Sequence, residues 1–125
     1  MKMEFLAGGA PECPLIRLYD FTTDEARELR QVFYSLADGS LDDVALDGMP
    51  FIEAVHGCQL RLLLGASDRG IRPISSDVFE YTLTGPGWSN VGGLVDPFTE
   101  SNSRGFQWLS NRRPVRLLLS RDGGW

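Results

Sequence analysis

The tetrapeptide Arg-Leu-Leu-Leu occurs twice in the chain, within residues 59–65 and within residues 114–120. Short leucine-rich runs bounded by glycine or proline are typical of β-strands. Because strand side chains alternate between two faces, each copy places one set of apolar residues on one face: Leu60, Leu62 and Leu64 in the first copy, and Val115, Leu117 and Leu119 in the second. The opposite face mixes arginine with leucine and is made by Arg61, Leu63, Arg116 and Leu118. We expect a helix, a loop or a partner to cover part of that mixed face.

The two copies lie 55 residues apart, and the same offset places Phe51 on Phe106 at the start of each preceding strand. A strand and a candidate helix come before each pair of strands. Residues 15–64 and 78–120 are therefore interpreted as two diverged β-α-β-β halves. Independent convergence on leucine-rich strands is the alternative, and a single rotation relating the two halves would distinguish the two explanations.

The strongest local signal is a capping box at Thr22 and Glu25, which predicts a helix beginning there. A second, weaker helix is predicted from Ser89 or Asn90 to about Phe98, because glycine and proline interrupt it. Predicted strands cover residues 15–21 and 78–83, with a short one near Val44. Two hairpins are predicted, one from residues 51–55 and 58–64 and one from residues 105–110 and 115–120.

These elements predict a single α+β domain over residues 1–125, with residues 1–14 as an extended lead-in. The expected architecture is a mainly antiparallel sheet of about six strands, with two helices on one face. The hydrophobic content of 42% and the charged content of 23% are ordinary for a globular protein. No apolar stretch approaches the roughly 20 residues that span a bilayer, and Glu4 interrupts the start where a signal peptide is apolar. Two distant cysteines fit a reducing, cytoplasmic location.

Charge is distributed unevenly along the chain. Residues 1–58 have a net charge of −7, whereas residues 59–125 have a net charge of +2. Opposite charges can draw two surfaces together, so a protein partner or a homodimer is predicted. The overall charge of −5 argues against nucleic acid, whose binders usually carry a basic face. The arginines near Trp108 and Trp125 offer cations and stacking rings, but Trp108 is interpreted as a core residue.

His56 and Cys58 are candidates for catalysis, because a cysteine nucleophile needs a base that favours its thiolate. Their spacing is unspecific. A turn position for His56 and a buried apolar role for Cys58 are the alternative interpretation. A small enzyme could add Tyr19 and Asp20 to this set, but the single histidine excludes sites that need several.

Four aspartates between Asp38 and Asp47 could offer oxygen ligands to a cation, but they lack the spacing of a calcium loop, so no metal site is predicted. Residues 85–93 are rich in glycine and follow a predicted strand, a context in which main-chain amides can bind phosphate. Asn90 replaces the third glycine of Gly-x-Gly-x-x-Gly, and no lysine follows Gly92. The segment is therefore interpreted as a turn, and no cofactor is predicted.

The sequence favours a non-catalytic module that holds another protein or a second copy of itself. The candidate binding residues are Asp42, Asp43, Asp47, Arg61 and Arg116. The alternatives are a small enzyme with a dispersed active site, and an acidic inhibitor of a basic partner that uses Asp42, Asp43 and Asp47.

Overall fold

A computed structural model describes residues 1–100 and 104–125. Two helices are described, α1 (Thr23–Ala37) and α2 (Gly85–Val95). The described residues also form nine strands, β1 (Lys2–Leu6), β2 (Leu15–Tyr19), β3 (Asp43–Ala45), β4 (Glu53–Ala54), β5 (Gln59–Leu64), β6 (Gly70–Pro73), β7 (Val78–Leu83), β8 (Phe106–Ser110) and β9 (Arg116–Ser120). They form a five-stranded sheet A, in the order β4-β1-β2-β9-β8, and a four-stranded sheet B, in the order β3-β5-β7-β6.

The α+β class with two helices is confirmed, whereas the expected single, mainly antiparallel sheet is not matched. Both sheets are mixed: β2 pairs parallel with β9, β5 pairs parallel with β7, and the outer pairs are mostly antiparallel. Parallel neighbours are far apart in sequence, so no turn signal between them reveals the pairing. Counting short apolar runs therefore missed how the strands are divided.

Helix α1 follows the prediction closely. The Thr22 side chain accepts a hydrogen bond from the Glu25 amide, and the Glu25 carboxylate accepts one from the Thr22 amide. This capping box satisfies main-chain donors that the first turn leaves unpaired. The buried stripe consists of Ala26, Leu29, Val32, Phe33 and Leu36.

Helix α2 begins at Gly85 rather than at Ser89 or Asn90. Thr84 caps it by accepting from the Gly87 amide at 3.2 Å, and Pro86 is tolerated in the first turn because the amide it lacks would have no helical partner there. Glycine weakens the helix-forming tendency of this segment, and the packing of α2 against α1 explains why glycine is present. A Cβ atom on Gly92 would lie 2.7 Å from the Tyr34 ring, so glycine permits α2 to approach α1 closely.

The first predicted hairpin is wrong and the second is confirmed. β4 pairs with β1, and β5 pairs with β3 and β7, so β4 and β5 are not partners. Between them His56 and Gly57 have φ angles of 54° and 72°, and this left-handed turn sends the chain from sheet A to sheet B. β8 and β9 pair antiparallel, with an irregularity between Trp108 and Ser110.

Two strands were missed in segments rich in glycine and proline. β1 lies within the predicted lead-in, where Met3 is fully buried between β2 and β4. β6 lies among predicted turns, where Ile71 is buried beside β7. Glycine and proline close to each strand hide its signal, so its neighbours rather than its own sequence identify it.

The sheets exchange strands between the two halves of the chain. β9 belongs to the second half but lies beside β2, and β5 belongs to the first half but lies beside β7. Around these parallel pairs, β1 and β6 occupy equivalent positions, as do β8 and β3. A single sequence offset does not describe the relation: the Arg-Leu-Leu-Leu copies lie 55 residues apart, but the capping residues Thr22 and Thr84 lie 62 apart.

Buried side chains from both sheets and both helices form one core cluster. The rings of Phe5 and Phe79 pack against each other between the two sheets, with their centroids 4.7 Å apart. The mixed face predicted for β9 is covered, as expected. Leu118 is fully buried there, and Arg116 donates to the Glu12 carbonyl at 2.8 Å. The corresponding face of β5 lies in sheet B and remains open to solvent.

Candidate functional site

An open groove crosses the outer face of sheet B. Its volume is about 520 Å³, and its walls come from β3, β5 and β7 together with the segments that flank them. The lining residues are Asp43, Ala45, Asp47, Gln59, Arg61, Ile74, Val78, Phe79 and Glu80. The alternation of side chains along three paired strands places these residues together, because the odd positions of β3 and β5 share the outer face.

A two-point ion pair joins two walls of the groove. Arg61 donates from Nε and Nη2 to the two carboxylate oxygens of Asp43, each at 2.6 Å. These hydrogen bonds lower the pKa of Asp43, although some desolvation acts in the opposite direction. Both side chains remain substantially exposed, so the pair contributes more to the shape of the groove than to stability.

The remaining charges of the groove are acidic. Asp47 accepts a hydrogen bond from the Leu60 amide at 3.1 Å, and Glu80 accepts one from Arg72 at 3.3 Å. The groove thus has three carboxylates in its lining, of which Asp43 is paired with Arg61 and Glu80 with Arg72. Ile74 is 52% exposed and supplies apolar surface in the same lining.

The acidic character extends beyond the groove. Residues 38–60 contain five aspartate or glutamate residues and neither lysine nor arginine. The segment that carries β3 is therefore acidic, although Arg61 and Arg72 balance Asp43 and Glu80 within the groove itself, and this charge favours a positively charged ligand.

Three of the five predicted binding residues meet in the groove: Asp43, Asp47 and Arg61. The Asp42 side chain is exposed next to β3 and its carbonyl accepts from the Leu64 amide. Arg116 lies in sheet A, where it donates to Asn111 and to the Glu12 carbonyl. The sequence reasoning missed Glu80, although its position between the buried Phe79 and Tyr81 places it on the outer face of β7.

His56 and Cys58 do not line this groove. His56 is exposed on the turn between the sheets, whereas Cys58 is only 2% exposed. Burial raises the pKa of the Cys58 thiol to about 12, and nearby carboxylates, Asp47 foremost, add to the rise. A thiol of such high pKa supplies almost no thiolate at neutral pH, so Cys58 in this state is a poor nucleophile. A catalytic role for the pair stays a prediction.

Tyr19 and Asp20, the other candidates for an enzyme site, make contacts at the end of β2 in sheet A. The Tyr19 ring lies under the Arg17 guanidinium, and Asp20 forms an ion pair with Lys2 at 3.3 Å. Neither of them lines the groove.

Three of the four clustered aspartates have separate hydrogen-bond partners. Asp38 accepts hydrogen bonds from Ser40, while Asp43 and Asp47 are held by Arg61 and the Leu60 amide. In residues 1–100 and 104–125 no three or more histidine, cysteine, aspartate or glutamate side chains are placed to hold a metal ion.

The glycine-rich segment 85–93 forms the first turns of α2, and a carboxylate already occupies its start. Asp68 accepts from the Thr84 amide at 2.8 Å and from the Thr84 hydroxyl at 2.9 Å. These hydrogen bonds lower the pKa of Asp68. An anionic side chain at this helix start would repel phosphate.

No known protein family, curated protein or solved structure matches this chain. The groove must therefore be interpreted from its own chemistry. Within the described residues, neither helix has the length and hydrophobicity required to cross a membrane.

A second exposed surface lies at the outer face of β8. Phe106 and Trp125 are 46% and 39% exposed, and both rings contact Trp108 edge to face. Trp108 is half-buried on this outer face, so its interpretation as a core residue is wrong. The fully buried tryptophan is Trp88.

Proposed function

We propose that this protein is a non-catalytic protein-interaction module that binds a basic, extended segment of another protein in the groove on sheet B. The observation that carries this proposal is the placement of three carboxylates around an open groove, where Arg61 pairs with Asp43, Arg72 pairs with Glu80, and Asp47 accepts from the Leu60 amide. Lysine and arginine have aliphatic stems that fit beside Ala45, Val78 and Ile74, while their charged groups reach the acidic wall. An acidic inhibitor of a basic enzyme would use the same face.

The ion pair between Asp43 and Arg61 leaves the groove able to bind a basic ligand. Each carboxylate oxygen of Asp43 retains capacity to accept a further hydrogen bond after Arg61 has donated. Asp47 likewise has a second carboxylate oxygen that the Leu60 amide does not use. The groove can therefore accept additional donors without disrupting its own contacts.

The test is the binding of a fluorescein-labelled peptide of alternating lysine and valine, followed by fluorescence anisotropy. We expect binding that weakens as NaCl rises from about 20 mM to about 200 mM, because salt screens exposed charges. The double variant D47N/E80Q should bind about tenfold more weakly, since it removes two favourable charge interactions of about 0.5–1 kcal/mol each. The carboxamide that D47N introduces keeps an oxygen that can accept from the Leu60 amide.

The matched control is E28Q/E100Q, which removes the same charge from exposed residues outside the groove. It should bind the basic peptide nearly as well as the unmodified protein. An equal loss in both double variants, or equal binding of a peptide of alternating glutamate and valine, would contradict a role for the groove.

We also propose that the chain arose by duplication of a unit with two strands, a helix and two further strands. The equivalent positions of β1 and β6, of β2 and β7, and of β5 and β9 support this proposal. Its test is superposition: a single rotation of about half a turn must bring the strands and the helix of one half onto those of the other. Lack of such a rotation leaves convergence as the explanation.

A further inference from the structure

β3 borders the groove and forms one edge of sheet B. The Leu64 amide donates to the Asp42 carbonyl at 3.0 Å, so residue 42 directs its main-chain groups toward β5. In an antiparallel pair this direction alternates along the strand. Val44 therefore also faces β5, whereas the Asp43 amide and carbonyl and the Ala45 amide face outward. No hydrogen bond from elsewhere in residues 1–100 and 104–125 engages these outward groups.

The other described sheet edges are shorter or already occupied. β4 has only two residues, and β6 ends in Pro73 and bridges to Val115 through Ile71. On β8, the Trp108 carbonyl accepts from the Gln107 side chain, and the Leu109 carbonyl accepts from the Tyr81 hydroxyl. β3 is thus the edge best able to accept another strand.

We infer that the basic segment of the protein partner adds to β3 as an antiparallel strand. This inference rests on the proposed function and specifies how the ligand binds. Residues directly opposite each other in a sheet place their side chains on the same face. Those opposite Asp43 and Ala45 would therefore lie on the outer face of sheet B, beside the groove. Every second side chain of the partner segment meets the carboxylates, which selects a sequence with basic residues at alternate positions.

The charge around β3 selects a basic partner over a second copy of this chain. Antiparallel pairing of two β3 strands would bring Asp42 and Asp43 of one copy close to the same residues of the other. Like charges opposite each other across a strand pair are destabilising. A segment rich in lysine or arginine replaces this repulsion with attraction. The small side chain of Ala45 leaves space for the long side chain beside it.

The first test replaces Ala45 with proline. Ala45 has a φ angle of −82°, which proline adopts without strain, and its amide faces outward, so no hydrogen bond within sheet B is lost. We expect A45P to keep the unfolding midpoint of the unmodified protein but to bind the lysine–valine peptide at least about tenfold more weakly. The control E28Q/E100Q, whose residues lie outside the groove, should bind the peptide with nearly unchanged affinity.

The second test leaves the protein unmodified and changes the peptide. In the inferred pairing the lysine amides face β3, whereas the valine amides face away from it. N-methylation of the lysine residues should abolish binding, and N-methylation of the valine residues should leave it within about threefold. This comparison remains decisive if A45P does not fold.

The outcomes separate the two proposals. Failure of the unmodified protein to bind the unmodified peptide overturns the proposed function and the inference together. Binding that D47N/E80Q weakens but that both N-methylated peptides retain equally overturns strand addition alone. Binding that is lost only with N-methylated lysine supports both.

Discussion

Trp88 joins α2 to α1 and to sheet B, so its replacement by phenylalanine should destabilise the protein strongly. The side chain is fully buried, its ring stacks on Phe33 at 5.6 Å, and it contacts the Tyr81 ring at 4.9 Å. Its indole nitrogen donates to the Leu63 carbonyl at 3.0 Å. Withdrawal of that donor should cost about 1–3 kcal/mol. The smaller ring adds about 1–2 kcal/mol of lost packing, so we expect a total near 3 kcal/mol.

The measurement is urea unfolding followed by far-ultraviolet circular dichroism, because fluorescence would itself change with the substitution. Trp108→Phe is the matched control, since the Trp108 ring is half-buried on the outer face of sheet A. We expect that control to lose less than about 1 kcal/mol. If Trp88→Phe lowers the free energy of unfolding no more than Trp108→Phe does, the conclusion that Trp88 holds α2 against α1 and sheet B is refuted.

Replacement by alanine should have opposite effects at two neighbouring glycines. Gly92→Ala should lower the free energy of unfolding by about 1–3 kcal/mol, because its Cβ would lie 2.7 Å from the Tyr34 ring. Gly93→Ala should raise the free energy of unfolding by about 0.5–1 kcal/mol, because its Cβ would meet nothing within 4 Å and alanine favours the helix. Equal effects in thermal unfolding would contradict the close packing of α1 and α2. Because hydrogen bonds from Thr84 depress the pKa of Asp68 in the folded state, the stabilisation is present above the unfolded pKa of about 4 and is lost as pH falls through the folded value. Asp68→Asn should therefore reduce the loss of stability that occurs as the pH falls below about 4. An unchanged dependence of the free energy of unfolding on pH, measured by urea titration, would show that this contact contributes nothing.

Local signals in the sequence were reliable where the structure depends on neighbours along the chain. The capping box at Thr22 and Glu25 correctly places the start of α1, and the β-branched and aromatic run at 78–83 correctly gives β7. The buried faces of the two Arg-Leu-Leu-Leu strands were also predicted correctly: Leu60, Leu62, Leu117 and Leu119 are fully buried. These features follow from capping and from strand geometry, which need only a few adjacent residues.

Strand neighbours could not be predicted, because they are set by packing between distant segments. The groove shows the consequence: Asp43 and Arg61 lie on paired strands, and the register of β5 against β7 then places Glu80 beside Arg61. The sequence offered Asp43, Asp47 and Arg61 as candidates but gave no means of placing them on one face. The start of α2 was predicted wrongly for a related reason, since its glycines weaken the isolated helix but permit contact with Tyr34.

The exchange of strands between the halves determines when this protein can fold during its synthesis. Leu15 of β2 pairs with Arg116 of β9, so the central pair of sheet A requires residues that leave the ribosome about 100 positions apart. Until β9 emerges, one edge of β2 has no partner strand, and sheet A lacks its central pair. The architecture therefore couples the folding of the first residues to the arrival of the last strand, and makes nascent chains the form most exposed to aggregation.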